Sequence, residues 1–242
     1  MNPTSLKLEL KRILRSPQFF LFTIGMPVVF FLFFAGLYGT QDVGGVKSST
    51  LTMLQMAAYG AMAAALFTGT RIATERTEGW QRQLRITPLR GPGYLLVKVS
   101  TSMLVALPVL LAIFVAGLAQ GVELTAAQWI TALGALWLGC LPFAALGIMI
   151  GLFGKGDTVQ AITGGLMAPL SMLSGLFIPL RLMPDWMAVV AKILPSYWLL
   201  QFGQSAVLAG PAVGLIVAVL AAWVLVPGFV VVKRFRLGTA RV

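Results

Sequence analysis

Apolar residues along this chain come in long unbroken runs, separated by short polar strips, with no alternation of apolar and polar positions. A helix of about 20 apolar residues, rising 1.5 Å per residue, crosses the ~30 Å hydrocarbon core of a bilayer. Runs of that kind fall at roughly 19–38, 51–73, 95–119, 129–153, 159–179 and 211–232. Backbone exposed to lipid must satisfy its own hydrogen bonds, and the in–out pattern of a barrel strand is missing, so the runs are helices. The expected fold is an all-α polytopic membrane protein, one domain over 1–242 with six transmembrane helices.

The segments outside the runs have patterns of their own. Leu6, Leu10, Ile13 and Leu14 share one helical face, with Lys7, Lys11, Arg12 and Arg15 on the rest. That periodicity predicts an amphipathic interface helix over 1–17, closed by Ser16-Pro17. Between the fifth and sixth runs, over 180–210, apolar residues stay frequent but Pro179, Pro184, Pro195 and Pro211 cut the chain into pieces too short to span. Pro184 suits a first helical position and Ser196 suits a cap after Pro195. Trp186, Tyr197 and Trp198 have the amphipathic character of interfacial residues. The expectation is two short external helices dipping, re-entrant, into the outer leaflet.

Composition supports lipid as the main solvent. Hydrophobic residues make up 58% of the 242, well above the 45–50% of soluble domains. Lysine and arginine then fix an orientation. The N-terminal segment holds four, the second connection six (Arg71, Arg76, Arg82, Arg85, Arg90 and Lys98), the fourth Lys155, and the tail four. Only Lys47, Arg181 and Lys192 fall on the other side, a division of fifteen to three that puts both termini in the cytoplasm. A net charge of +11 confined to one face suits anionic lipid headgroups, not nucleic acid. Cys140, the single cysteine, forms no intrachain disulfide and reads as packing. The chain has no histidine, and Asn2 is its only asparagine. Histidine metal sites, Ser-His proteolysis and paired Asn-Pro-Ala half-helices are therefore excluded. The basic start is not a cleavable leader, since the run behind it spans a bilayer and lacks an A-x-A site.

No Asp, Glu, Lys or Arg lies near the middle of a run, and Lys98 is close enough to a cytoplasmic end to snorkel. A mid-bilayer charge costs at least ~2.5–3.5 kcal/mol and is usually retained for ion coupling or a proton path. Its absence weighs against an ion-coupled secondary transporter or a voltage-sensing channel; a non-transport scaffold is the other alternative. What remains is mildly polar. Thr52, Gln55, Tyr59, Met62 and Leu66 form one helical stripe, and Thr163, Met167, Ser171 and Ser174 another. Small residues Ala57, Gly60, Ala61 and Ala64 occupy the opposite face of the second run. Such stripes are either interhelical glue or the walls of a path for a bulky, largely uncharged substrate. No G-x-x-x-x-G-K-[ST] loop exists, so ATP and its Mg, if they drive this protein, bind a separate polypeptide. The chain itself reads as non-enzymatic, with no cofactor or metal of its own.

The strip ERTEGWQRQLRITPLR, from Glu75 to Arg90, is the one cytoplasmic connection large enough to receive such a partner. Thr74 can cap a short helix here, with Glu75 and Glu78 near its positive end. Trp80 and Leu84 share a face, Gly79 permits close approach, and Thr87-Pro88 stops the helix before Gly91-Pro92-Gly93 turns the chain. E-R-T-E-G-W-x-x-x-L-x-x-T-P resembles the E-R-E-x-G-x-x-x-x-L-x-x-T-P signature of ABC-2 membrane subunits, the permeases of drug-resistance and polysaccharide/lipid exporters. LSGLFIPLRLMPDWMAVVAKILPSYWLL, starting at Leu173, is similar to that family's second landmark. Thr77 and Trp80 depart from the pattern, where the family often has Glu and a small hydroxyl residue. The resemblance implies an ATP-driven exporter with two membrane subunits, identical or paralogous, and two ATPase subunits. It implies a coupling segment over 74–93, carried by Glu75, Arg76, Glu78, Gly79, Trp80, Leu84, Thr87 and Pro88. It also implies a substrate path along Gln55, Tyr59, Met62, Thr163, Met167, Ser171 and Ser174. Pro184, Trp186, Pro195, Tyr197 and Trp198 would then form an external gate.

Overall fold

The computed structural model describes residues 20–77, 91–154, 156–178, 180 and 183–239, with side chains described except at 20, 76–77, 91–92, 156–157 and 234–239. The interface helix expected over 1–17 lies outside the described residues, as does 78–90 of the coupling segment.

A π-helical turn, Phe20–Gly25, leads into α1, Met26–Tyr38, with Pro27 in the first turn where a missing N–H costs little. A small hairpin follows, β1 (Asp42–Val43) against β2 (Val46–Lys47). Its turn is Gly44-Gly45, both at positive φ (67° and 81°), and the Asp42 carboxylate accepts from the Gly45 N–H at 2.8 Å. α2 then runs unbroken from Ser48 to Thr77, and α3 from Gly91 to Ala119. α4 (Ala126–Gly139) opens on a capping box between Thr125 and Gln128. α5 is Leu141–Phe153, α6 Gly156–Leu173, α7 Asp185–Ala191, α8 Pro195–Gln204 and α9 Val213–Thr239.

Among the described residues, five stretches are long and apolar enough to cross a membrane: Leu21–Tyr38, Ser48–Glu75, Gly93–Ala119, Ala126–Phe153 and Val213–Lys233. The run expected to span 159–179 gives a shorter apolar helix that ends at Leu173. Gly175 takes φ +87°, which breaks the helical ladder. The run at 129–153 is one crossing built from two helices. Cys140 sits between them, two residues before Pro142, whose ring and missing N–H interrupt the ladder.

α2 is the central helix, packed by α5 and α3 along its length and by α1, α6 and α8 at its sides. Its span is 78% buried, against 22% for those of α1 and α9, so these two present most of their surface outward. Met53, Leu54, Ala57, Ala61, Met62, Ala64 and Leu66 are all inaccessible. Residues of both the polar stripe and the small-residue face of α2 are thus covered, while Gln55 and Tyr59 of the stripe are half-buried. Lipid tails provide little hydrophobic drive between helices, so close backbone approach supplies the packing energy. The α2–α5 crossing is the clearest case. A Cβ on Gly69 would lie 2.9 Å from the Gly147 Cα, and one on Gly151 would lie 3.1 Å from the Thr70 carbonyl oxygen.

Candidate functional site

Glu75 lies on α2, on the near edge of the expected coupling segment. The α2 ladder continues to Thr77, so Thr74 is inside a helix and does not cap a new one. Two groups of α3 hold the Glu75 carboxylate. Lys98 Nζ is 2.5 Å from one Glu75 oxygen, and the Tyr94 hydroxyl donates to the other at 2.9 Å. The same ammonium lies 5.4 Å from the Tyr94 ring centroid. Lys98 does not snorkel: its side chain is 3% exposed and that of Glu75 12%. With a carboxylate in reach, an interior pair replaces the extended route to water. Removing one member of such a pair strands the other charge, at a cost of about 3–5 kcal/mol.

The stripe residues divide into two groups. Thr163, Ser171 and Ser174 are fully buried, and each hydroxyl donates to a carbonyl four residues back on its own chain: Val159, Met167 and Leu170. Met62 and Met167 are buried beside them in the main core. Gln55 and Tyr59 lie at its edge. The Gln55 amide donates to the Gly175 carbonyl at 3.2 Å, and the Tyr59 ring meets that of Phe177 at 5.2 Å. Gln55 also borders a cavity of about 510 Å³ near the Ser48 end of α2. Phe34, Leu51, Phe177 and Leu200 supply apolar wall, while Thr52, Gln41, Gln201 and Gln204 supply uncharged polar groups. No charged side chain lines it among the described residues.

The two short helices between α6 and α9 differ from each other. Pro184 is the N-cap of α7 (φ −57°, ψ 149°), one position before the first helical residue expected for it. Trp186 points outward, 63% exposed. α8 is built into the body instead, against α4, α9 and α2. Pro195 is its first residue and is buried, as are Tyr197 and Trp198 at 8% and 9% exposure. The Trp198 indole donates to the Lys192 carbonyl at 2.7 Å. Ser196 does not cap α8; its hydroxyl crosses to the Leu170 carbonyl at 2.8 Å, tying α8 to the end of α6. Burial raises the Tyr197 phenol above its ordinary value, so it remains a neutral hydroxyl. Of the residues expected to carry coupling, Arg76 has no described side chain, and Glu78, Gly79, Trp80, Leu84, Thr87 and Pro88 lie outside the described residues.

Comparison with known proteins decides what this helical assembly is. Residues 4–208 match the family model described as ABC-2 type transporter. A Bacillus subtilis (strain 168) protein named "Putative transport permease YvfS" is 31% identical over 202 residues, covering 82% of this chain and 80% of its own length. The chain belongs to the ABC-2 type transporter family.

It is thus a membrane-spanning transport permease. Reading the ABC-2 permease from sequence missed two of its contacts. The Glu75–Lys98–Tyr94 cluster joins residues 23 and 19 positions apart across a connection. Its one signal was Lys98, the charge intruding on an apolar run. The glycine crossing of α2 and α5 carried a stronger signal, Gly147-x-x-x-Gly151 within an apolar helix.

Proposed function

We propose that this permease is the membrane subunit of an ATP-driven exporter and moves a hydrophobic or amphipathic substrate by alternating access. Its energy comes from a separate ATPase subunit docked on the cytoplasmic connection between α2 and α3. A second membrane subunit, a copy or a paralogue, completes the path. Both termini lie in the cytoplasm, on the strength of the fifteen-to-three partition of lysine and arginine. Drugs, lipids and lipid-linked molecules suit the cavity beside Gln55, which no charged side chain lines among the described residues.

One observation carries the reading: the connection of 78–90 joins two long helices whose facing ends share a buried ion pair. A displacement of that connection reaches α2, and α2 is the helix that touches most of the others. Nucleotide-driven closure of the ATPase pair would then bias a bistable membrane assembly. Glu78, Trp80 and Leu84 are the proposed contacts to the ATPase groove, with Arg76, Gly79, Thr87 and Pro88 shaping the segment. α7 and α8, with Trp186 and Trp198, are the proposed external gate.

The test is co-purification with the ATPase, followed by ATP hydrolysis measured in lipid nanodiscs with and without candidate amphiphiles. Stimulated hydrolysis supports the reading, and Glu78→Lys with Trp80→Ala is expected to lower complex yield. An ATPase that neither binds the permease nor changes its rate in its presence would overturn it.

A further inference from the structure

We infer that Lys98 is a positioning residue that, with Tyr94, fastens the end of α2 to the start of α3 through Glu75, so that the two helices move as one body. The inference rests on the proposed coupling role of the 78–90 connection and changes one part of it. Glu75 is an internal strut, not a contact offered to the ATPase.

Accessibility argues first. A carboxylate 12% exposed, with Lys98 on one oxygen and Tyr94 on the other, has little surface left for a partner protein. Geometry argues second. Tyr94 and Lys98 stand one turn apart on α3, so each oxygen of Glu75 has its own donor. Two directional bonds fix both the rotation and the register of α2 against α3, which apolar contact alone leaves free to slide. Surroundings argue third. Ile72, Leu95, Ile148, Leu152 and Val231 form a buried apolar cluster at this end, drawn from α2, α3, α5 and α9. In such a medium the pair is electrostatically stronger than in water, and it is costly to separate. Beyond the pair, α2 runs without a break into the centre of the bundle. A push on the connection therefore arrives in the core as movement of a joined pair. Without the clamp it would be absorbed by splaying of two helix ends.

The experiment places spin labels at Thr74→Cys and Leu96→Cys, both exposed positions, one on each helix. Cys140 is inaccessible and takes no label. The interspin distance distribution is recorded for the full permease in nanodiscs. A narrow distribution is expected for the parent, a broad one for Lys98→Met and for Glu75→Gln, and a narrow one again for the exchanged pair Glu75→Lys/Lys98→Glu. In the complex at equal yield, Lys98→Met should cut the permease's effect on ATP hydrolysis by about tenfold. The exchanged pair and Lys98→Arg should restore it, an outcome that a merely stabilising role does not produce. Unchanged width in Lys98→Met, or an exchanged pair no better than either single variant, would overturn the clamp. A parent permease that leaves ATP hydrolysis unaltered would overturn the coupling reading instead, while the label widths still decide whether the helices are fastened.

Discussion

Gly69 of α2 and Gly147 of α5 meet backbone to backbone: a Cβ built on Gly147 would overlap the Leu66 carbonyl oxygen, well inside van der Waals contact, with nothing flexible to move aside. Gly147→Val should therefore destabilise the permease by about 1–3 kcal/mol or more, because overpacking at a backbone contact cannot be relieved by rotamers. Gly134 of α4 is the control, since a Cβ there meets nothing within 4 Å. Gly134→Ala should leave stability unchanged or raise it by up to about 1 kcal/mol. Thermal unfolding followed by size-exclusion in detergent separates the two. Equal melting temperatures for both variants would refute the crossing.

Sequence alone located the crossings well where long apolar runs met clear polar ends, as at 51–73 and 95–119, which extend to Ser48–Thr77 and Gly91–Ala119. It did less well where a proline or glycine acts inside a run. Apolar content does not reveal that Gly175 turns at φ +87° or that Cys140 breaks one crossing into two helices. The candidate site shows the same limit. The charge of Lys98 was visible, but its partner across the connection was not, since pairing of 75 with 98 depends on how α2 and α3 align. Likewise the serine and threonine stripe at 163–174 read as interhelical glue or as the wall of a path. It did not predict that their own helix carbonyls would already satisfy them.

Cys140 offers a reporter of native structure. Its thiol donates to the Trp137 carbonyl at 3.0 Å and lies 3.6 Å from the Met103 sulfur, with no exposed surface. In the folded permease a maleimide should fail to label it, and labelling should appear only along the unfolding transition. Mass spectrometry of the intact protein, sampled across a thermal ramp, reads this directly. Labelling well below the melting temperature would contradict the packed bend between α4 and α5.

Ser196 links α8 to the α6 terminus through the Leu170 carbonyl, an oxygen that also accepts from Ser174. Ser196→Ala removes the interelement bond and leaves the intrahelical one. The expected loss is about 1 kcal/mol, the net worth of a single buried hydrogen bond. Ser174→Ala should cost less in tertiary stability, because only a bond within its own segment is lost. Comparing the two melting temperatures tests whether α8 is anchored here. A larger loss for Ser174→Ala would reverse that assignment.

Gln55 ties α2 to the turn that follows α6. Its amide donates to the Gly175 carbonyl at 3.2 Å from the edge of a cavity with no charged lining among the described residues. Gln55→Leu keeps an apolar side chain of similar length but loses the donor, so it should cost about 1 kcal/mol, the net worth of one hydrogen bond. Gln55→Asn keeps the amide on a shorter stem that no longer reaches the carbonyl, and should cost a similar amount. Melting temperatures of the parent and both variants in detergent decide the matter. Unchanged melting in both variants would mean that water serves the Gly175 carbonyl equally well and that the contact does not close the cavity edge.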